Sequence, residues 1–172
     1  AGTYQAEALF AFLFDRRGRG ISKDEVAEVI WPELAIDKAD TAFHRTLSAL
    51  RRTLEPGLKR GNQSITVTFH HDRYWLNPAA IAGSDVEQFS AAIERAHSAA
   101  RSEDMPKAIA SFNQALMLYR GIYLDDCPFY GDSSYVEPHR IELHAQHLEA
   151  LLTLGHIHER LGQSSDAAAC FR

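Results

Sequence analysis

The run from Asp37 to Leu54, DKADTAFHRTLSALRRTL, constrains this chain more than any other stretch. At roughly 100° per residue, Ala39, Phe43, Leu47, Leu50 and Leu54 share one face of a helix. Thr41, Arg45, Ser48 and Arg52 fall on the opposite face, with His44 and Arg51 on its flank. A helix of this kind must bury its Leu/Phe side. Its other side is either a solvated charged face or a recognition surface reaching phosphates and guanine edges in a major groove. What surrounds the helix decides between the two.

Upstream, Thr3 to Asp15 spaces Ala8, Leu9, Phe12 and Leu13 as a short apolar helix, and the RRGRG run turns the chain at Gly18 and Gly20. Gly18-x-Gly20 has no third glycine and follows a helix, so it is not a dinucleotide fingerprint. Ser22-x-x-Glu25 is a capping box that opens a second helix, with Val26, Val29 and Ile30 facing inward and Pro32 closing it. Only PELAID separates it from the Asp37–Leu54 helix, the order of a helix-turn-helix.

Downstream, Pro56, Gly57 and Gly61 break the helix. SITVTFH then alternates, putting Ile65, Val67 and Phe69 on one face, and YWLNP follows after the turn HHDR. A β-hairpin directly after a recognition helix is a wing. Residues 1–78 therefore read as a winged helix-turn-helix, with Arg60, His71 and Arg73 placed to touch flanking backbone or minor groove and Tyr74 and Trp75 as core plugs.

From Ala79 the chain is helix after helix. Val86, Phe89, Ile93 and Ala96 form one stripe; Ala108, Ile109, Phe112, Ala115, Leu116 and Tyr119 form the next, after an Asp104-Met105-Pro106 start. Ala108-x-x-x-Phe112 recurs as Ala167-x-x-x-Phe171, 59 residues on, a tetratricopeptide-like pattern lengthened by the insertion RGIYLDDCPFYGDSSYVEPHR. Leu154-Gly155 and Gly162 stand where that repeat wants small residues for close helix contact. Residues 79–172 read as a TPR-like repeat domain that holds something. The expected fold class is mainly α.

Net charge is −5, but its distribution matters more than its sum. Residues 1–78 carry a net of +1 and the remainder −6, and within 38–60 six basic residues face only Asp40 and Glu55. That is a small basic footprint on a mildly acidic chain. Cys127 and Cys170 form no C-x-x-C pair, which fits a reducing, cytoplasmic home, and no run approaches the roughly 20 apolar residues of a membrane helix. The sequence begins without Met and ends inside helix-forming sequence, so a fragment of a longer protein is expected. His144, His147, His156 and His158 lie along one stretch, but without a ligand motif they are expected to be ordinary helix histidines. With no nucleophile elbow, P-loop or catalytic dyad, neither an enzyme nor a metal or cofactor site is expected.

Taken together, SKDEVAEVIWP (22–32), LSALRRTL (47–54) and YWLNP (74–78) resemble the winged-helix domain of bacterial antibiotic-regulatory activators, a relative of the response-regulator DNA-binding domain. DVEQF (85–89), ALMLYRGIYL (115–124) and YVEPHRIEL (135–143) resemble the bacterial transcriptional activator domain that follows it in those proteins. The resemblance implies a sequence-specific regulator. Its third helix would enter the major groove of directly repeated half-sites through Thr41, Arg45, Ser48 and Arg52, with His44 and Arg51 beside them. It also implies a homodimer on DNA and contacts to RNA polymerase from the repeat domain. Two departures stand out: no strands precede Thr3, and His44 and Arg45 differ from the expected consensus. The competing expectations are a protein-interaction scaffold without DNA binding, or a small-molecule sensor using Tyr123, Phe129, Tyr130 and Tyr135 of the insertion.

Overall fold

The computed structural model describes residues 2–59, 61–127, 130–131 and 134–172. It is mainly helical, with one small antiparallel sheet. In order come α1 (Gly2–Asp15), α2 (Lys23–Ile30), α3 (Ile36–Leu54), strands β1 (Val67–His70) and β2 (Arg73–Leu76), a 3-10 turn at Pro78–Ala80, then α4 (Asp85–Arg101), α5 (Met105–Leu118), α6 (Glu137–Arg160) and α7 (Ser164–Cys170). The chain divides into two compact units, 1–82 with 123–137, and 83–122 with 138–172. The first of these takes in part of the insertion, residues 123–137.

In the first unit α1 packs on α2 and α3, and α2 on α3. The capping box forms in full: Glu25 N–H donates to Ser22 Oγ at 3.1 Å, and Ser22 N–H donates to Glu25 Oε2 at 2.7 Å. Leu9, Phe12 and Leu13 of α1, Val26 and Ile30 of α2, and Phe43, Leu47 and Leu50 of α3 meet in one core, which Val67, Tyr74 and Leu76 close from the hairpin. Each such side chain contributes about 1.5–3 kcal/mol on burial, so this core outweighs any surface pairing.

The strand expectation needs correction. Of Ile65, Val67 and Phe69 only Val67 is buried, while Ile65 is 70% and Phe69 53% exposed. The ladder begins at Val67, paired with Leu76, and ends at His70, paired with Arg73. Ile65 precedes the first pair and Phe69 lies toward the hairpin's free end, so the strand is shorter than the alternating run and only Val67 of that face reaches the core. Ile21 adds a single bridge to Tyr74, with both backbone bonds made at 2.8 and 2.9 Å.

The second unit is built from helical hairpins. Phe89, Ala92, Ile93 and Ala96 of α4 face Ala108, Phe112 and Ala115 of α5, and Ala150, Leu154 and Ile157 of α6 complete the core. Its two tight links have the same geometry. Glu103 (φ 59) and Gly162 (φ 73) each take the left-handed position after a helix, and in each link the next N–H reaches back five residues, Asp104 to Ala99 O and Gln163 to His158 O. Gly162 is therefore there for its backbone, not for close packing as expected. Gly155 does serve contact: a Cβ there would stand 2.5 Å from the Phe171 ring.

Candidate nucleic-acid interface

α3 presents the two faces its sequence requires. Ala39, Phe43, Leu47 and Leu50 are buried, Leu54 is half-buried, and Thr41, His44, Arg45, Ser48 and Arg52 are exposed. The polar side chains differ in their commitments. Thr41 Oγ1 donates back to Asp37 O at 3.0 Å and Arg52 Nε to Ser48 O at 3.2 Å. His44 Nε2 lies 3.8 Å from the Asp40 carboxylate, which is itself bonded to Lys23 of α2. Arg45 makes no hydrogen bond or ion pair among the described residues, so its guanidinium is entirely available to a ligand.

The last turn of α3 is tied to the hairpin by two side chains one turn apart. Arg51 donates from Nε and Nη2 to Val67 O, at 3.1 and 2.7 Å. Glu55, at the helix C-cap, accepts from the Ser64 hydroxyl, the Thr66 N–H at 2.9 Å and the Ile65 N–H at 3.2 Å. Those donors, the Ser64 hydroxyl first, hold the Glu55 carboxyl down at about 2. A helix end and the start of a strand are thereby registered to each other. Arg51, expected beside the recognition face, has its guanidinium engaged in this tie.

The hairpin turns on two residues, His71 (φ 52) and Asp72 (φ 58), both left-handed, as a type I′ turn requires. Next to the turn, Arg73 Nη1 donates to Gly20 O at 2.6 Å and to Glu25 at 3.1 Å. Arg19 pairs with the other Glu25 oxygen. Burial opposes ionisation of Glu25, but the Ser22 N–H and the two guanidiniums hold its carboxyl below the usual range. Arg73, like Arg51, is bound into the fold. Trp75 stands over Gly20, where a Cβ would come within 2.5 Å of its ring, and it stacks on His70 at 4.9 Å. Arg60 lies outside the described residues.

Sequence reasoning did not anticipate Glu55, Ser64, His70 or the role of 123–137. In that segment Tyr130 and Val136 are fully buried. Tyr130 packs its ring 5.0 Å from Phe12 and donates its hydroxyl to Asp15, to which Tyr123 also donates, at 3.2 Å. Burial, and then the Asp15 carboxylate, push the Tyr130 hydroxyl far above its ordinary range. Arg16 stands 4.7 Å from both the Phe12 and the Tyr135 rings. The insertion's described aromatics therefore pack on α1; Phe129 lies outside the described residues. The helix histidines have local partners: His147 stacks on Tyr119 at 4.0 Å, His144 bonds the Tyr119 hydroxyl at 3.2 Å, and His158 bonds Gln163 at 2.6 Å.

The chain thus carries three helices and a hairpin in its first unit, with Arg45 exposed on α3, and helical hairpins in its second. Residues 84–171, just over half the chain, match the family model described as bacterial transcriptional activator domain, and the chain belongs to that family. Among solved structures it is similar to Mycobacterium tuberculosis EmbR in complex with a low affinity phosphopeptide, with a TM-score of 0.78 and 24% identity, over 96% of this chain and 42% of that one. That likeness concerns the fold and extends through the first unit as well as the second. No curated protein matches. Among the described residues no helix is long and apolar enough to cross a membrane.

Proposed function

We infer that this chain is a sequence-specific DNA-binding transcription regulator, an activator, working in the cytoplasm. Its first unit is a winged helix-turn-helix in which α3 enters the major groove and the β1–β2 wing lies on the adjacent backbone. The observation that carries the reading is the pairing of a free, exposed Arg45 on the outer face of α3 with a helix end that Arg51 and Glu55 register to the wing. Thr41, His44, Ser48 and Arg52 share the exposed side; Arg73 stands on the wing and Arg60 follows α3 in sequence. A helix that only filled solvent would need no such registration.

The second unit, TPR-like in its paired hairpins and matched turns, is assigned the protein contacts, to a second protomer on direct-repeat half-sites or to RNA polymerase. The exposed stripe of Ile141, Leu148 and Leu152 on α6 supports that role, since a helix apolar on two sides holds a surface for a partner. Two protomers are required because an Arg–guanine contact gives only about 1–3 kcal/mol of discrimination. The test is anisotropy of the 172-residue chain on a selected duplex pool, followed by salt titration. Enrichment of a repeated motif, with log K falling linearly in log[salt], establishes the reading. Absence of binding even at about 50 mM salt would favour the scaffold alternative.

A further inference from the structure

We propose that the tip of the β1–β2 hairpin is a proton-linked phosphate clamp, in which the His70 and His71 imidazoles together hold one DNA backbone phosphate. The inference rests on the DNA-binding reading and adds to it a contact and a regulation. Three observations at the tip converge. First, His71 and Asp72 occupy the two left-handed positions of the turn, where Asn-Gly or Asp-Gly is the unstrained choice. The histidine there holds a left-handed backbone with its ring exposed at the end of the hairpin.

Second, the two Nδ1 atoms lie 3.2 Å apart, both side chains exposed. In the neutral pair one Nδ1–H donates to the other ring. When the pair takes up a further proton from solvent, two N–H groups converge on one point, which is unfavourable unless an anion with acceptor lone pairs sits there. A phosphate oxygen meets that need, accepting from both rings while the bound proton balances its charge. Third, His70 is held in place. Its ring stacks on Trp75 at 4.9 Å and 11°, and Trp75 is itself fixed over Gly20. An imidazolium on an indole face is also favoured by the ring's quadrupole.

The charges around the pair are few. Asp72 lies in the turn beside it, and Arg73 lies across the register from His70. Arg73 is paired with Glu25, and Glu25 with Arg19, so that group is internally compensated. On α3 the other exposed imidazole, His44, has Asp40 as its neighbour.

The test is anisotropy of the full chain on a labelled duplex at constant ionic strength, between about pH 6 and about pH 8, where free DNA phosphates do not titrate. If binding is linked to proton uptake at the pair, affinity should rise roughly sixfold from the higher to the lower pH. His70→Gln with His71→Asn, which keeps a residue tolerant of left-handed φ, should abolish the pH slope while salt-dependent binding and the melting temperature remain. Loss of the slope in His44→Gln instead would transfer the linkage to α3 and overturn the proposal. A wild-type affinity that depends on salt but not on pH would also overturn it while leaving the DNA reading intact; no binding at either pH removes both. Inorganic phosphate titrated without DNA should leave the His70 and His71 NMR resonances unmoved, and a saturable shift there would make the tip a free-anion site.

Discussion

Arg45 and Arg51 stand six residues apart on one helix and are opposite in what they can do. Arg45 has no partner among the described residues, whereas both donor nitrogens named above commit Arg51 to Val67 O. Arg45→Ala should cost about 1–3 kcal/mol of operator binding and relax specificity at one base pair, with the melting temperature unchanged. Arg51→Ala should instead lower the melting temperature, and with it affinity for all sequences alike. Competition anisotropy against specific and random duplexes, beside thermal melts, separates the two. Glu55 makes a pH prediction of definite sign. Its folded carboxyl titrates at about 2, below its unfolded value, so its contribution is complete above that unfolded value and is lost as pH falls through the folded one. For a partly exposed group the magnitude is about 1–2 kcal/mol after screening, and Glu55→Gln should flatten stability against acid over that interval.

At the scale of elements, the sequence was most informative where one local rule acts alone. The Ser22/Glu25 capping box forms as its spacing requires, and Ser84/Glu87, which sequence reasoning did not single out, forms a second. Ser84→Ala should destabilise the second unit by about 1 kcal/mol in a chemical melt followed by circular dichroism. The hairpin was legible as an element but not in its buried extent, because which strand residues reach a core depends on what packs there. Gly20 is the sharper case. Its sequence context reads as a turn, yet what it does is admit the Trp75 ring, and φ at this position is not left-handed. Gly20→Ala should therefore fail for a steric reason: the hairpin must shift, and Trp75 fluorescence should move to longer wavelength as its ring is displaced toward water.

For the whole molecule, the segment 123–137 is the unexpected part. It lies within an insertion in the repeat pattern, yet Tyr130 fills the core of the first unit beneath α1. Tyr130→Ala should cost that unit about 3–5 kcal/mol, the range for removing a buried aromatic. Trp31 and Trp75 are the chain's two tryptophans and both lie in the first unit, so tryptophan emission during a denaturant melt reads that loss directly.

The amino-acid sequence by itself determined the helices of the first unit, the Ser22/Glu25 cap and the two faces of α3. Each of these follows from periodicity or from side chains bonding their own backbone neighbours. Only the tertiary structure decided which arginines are free, that Glu55 fastens the helix to the hairpin, that Gly20 makes room for Trp75, and that Tyr130 joins a core more than a hundred residues away in the chain. Those outcomes depend on groups brought together across long sequence separations, where no local spacing records the partner.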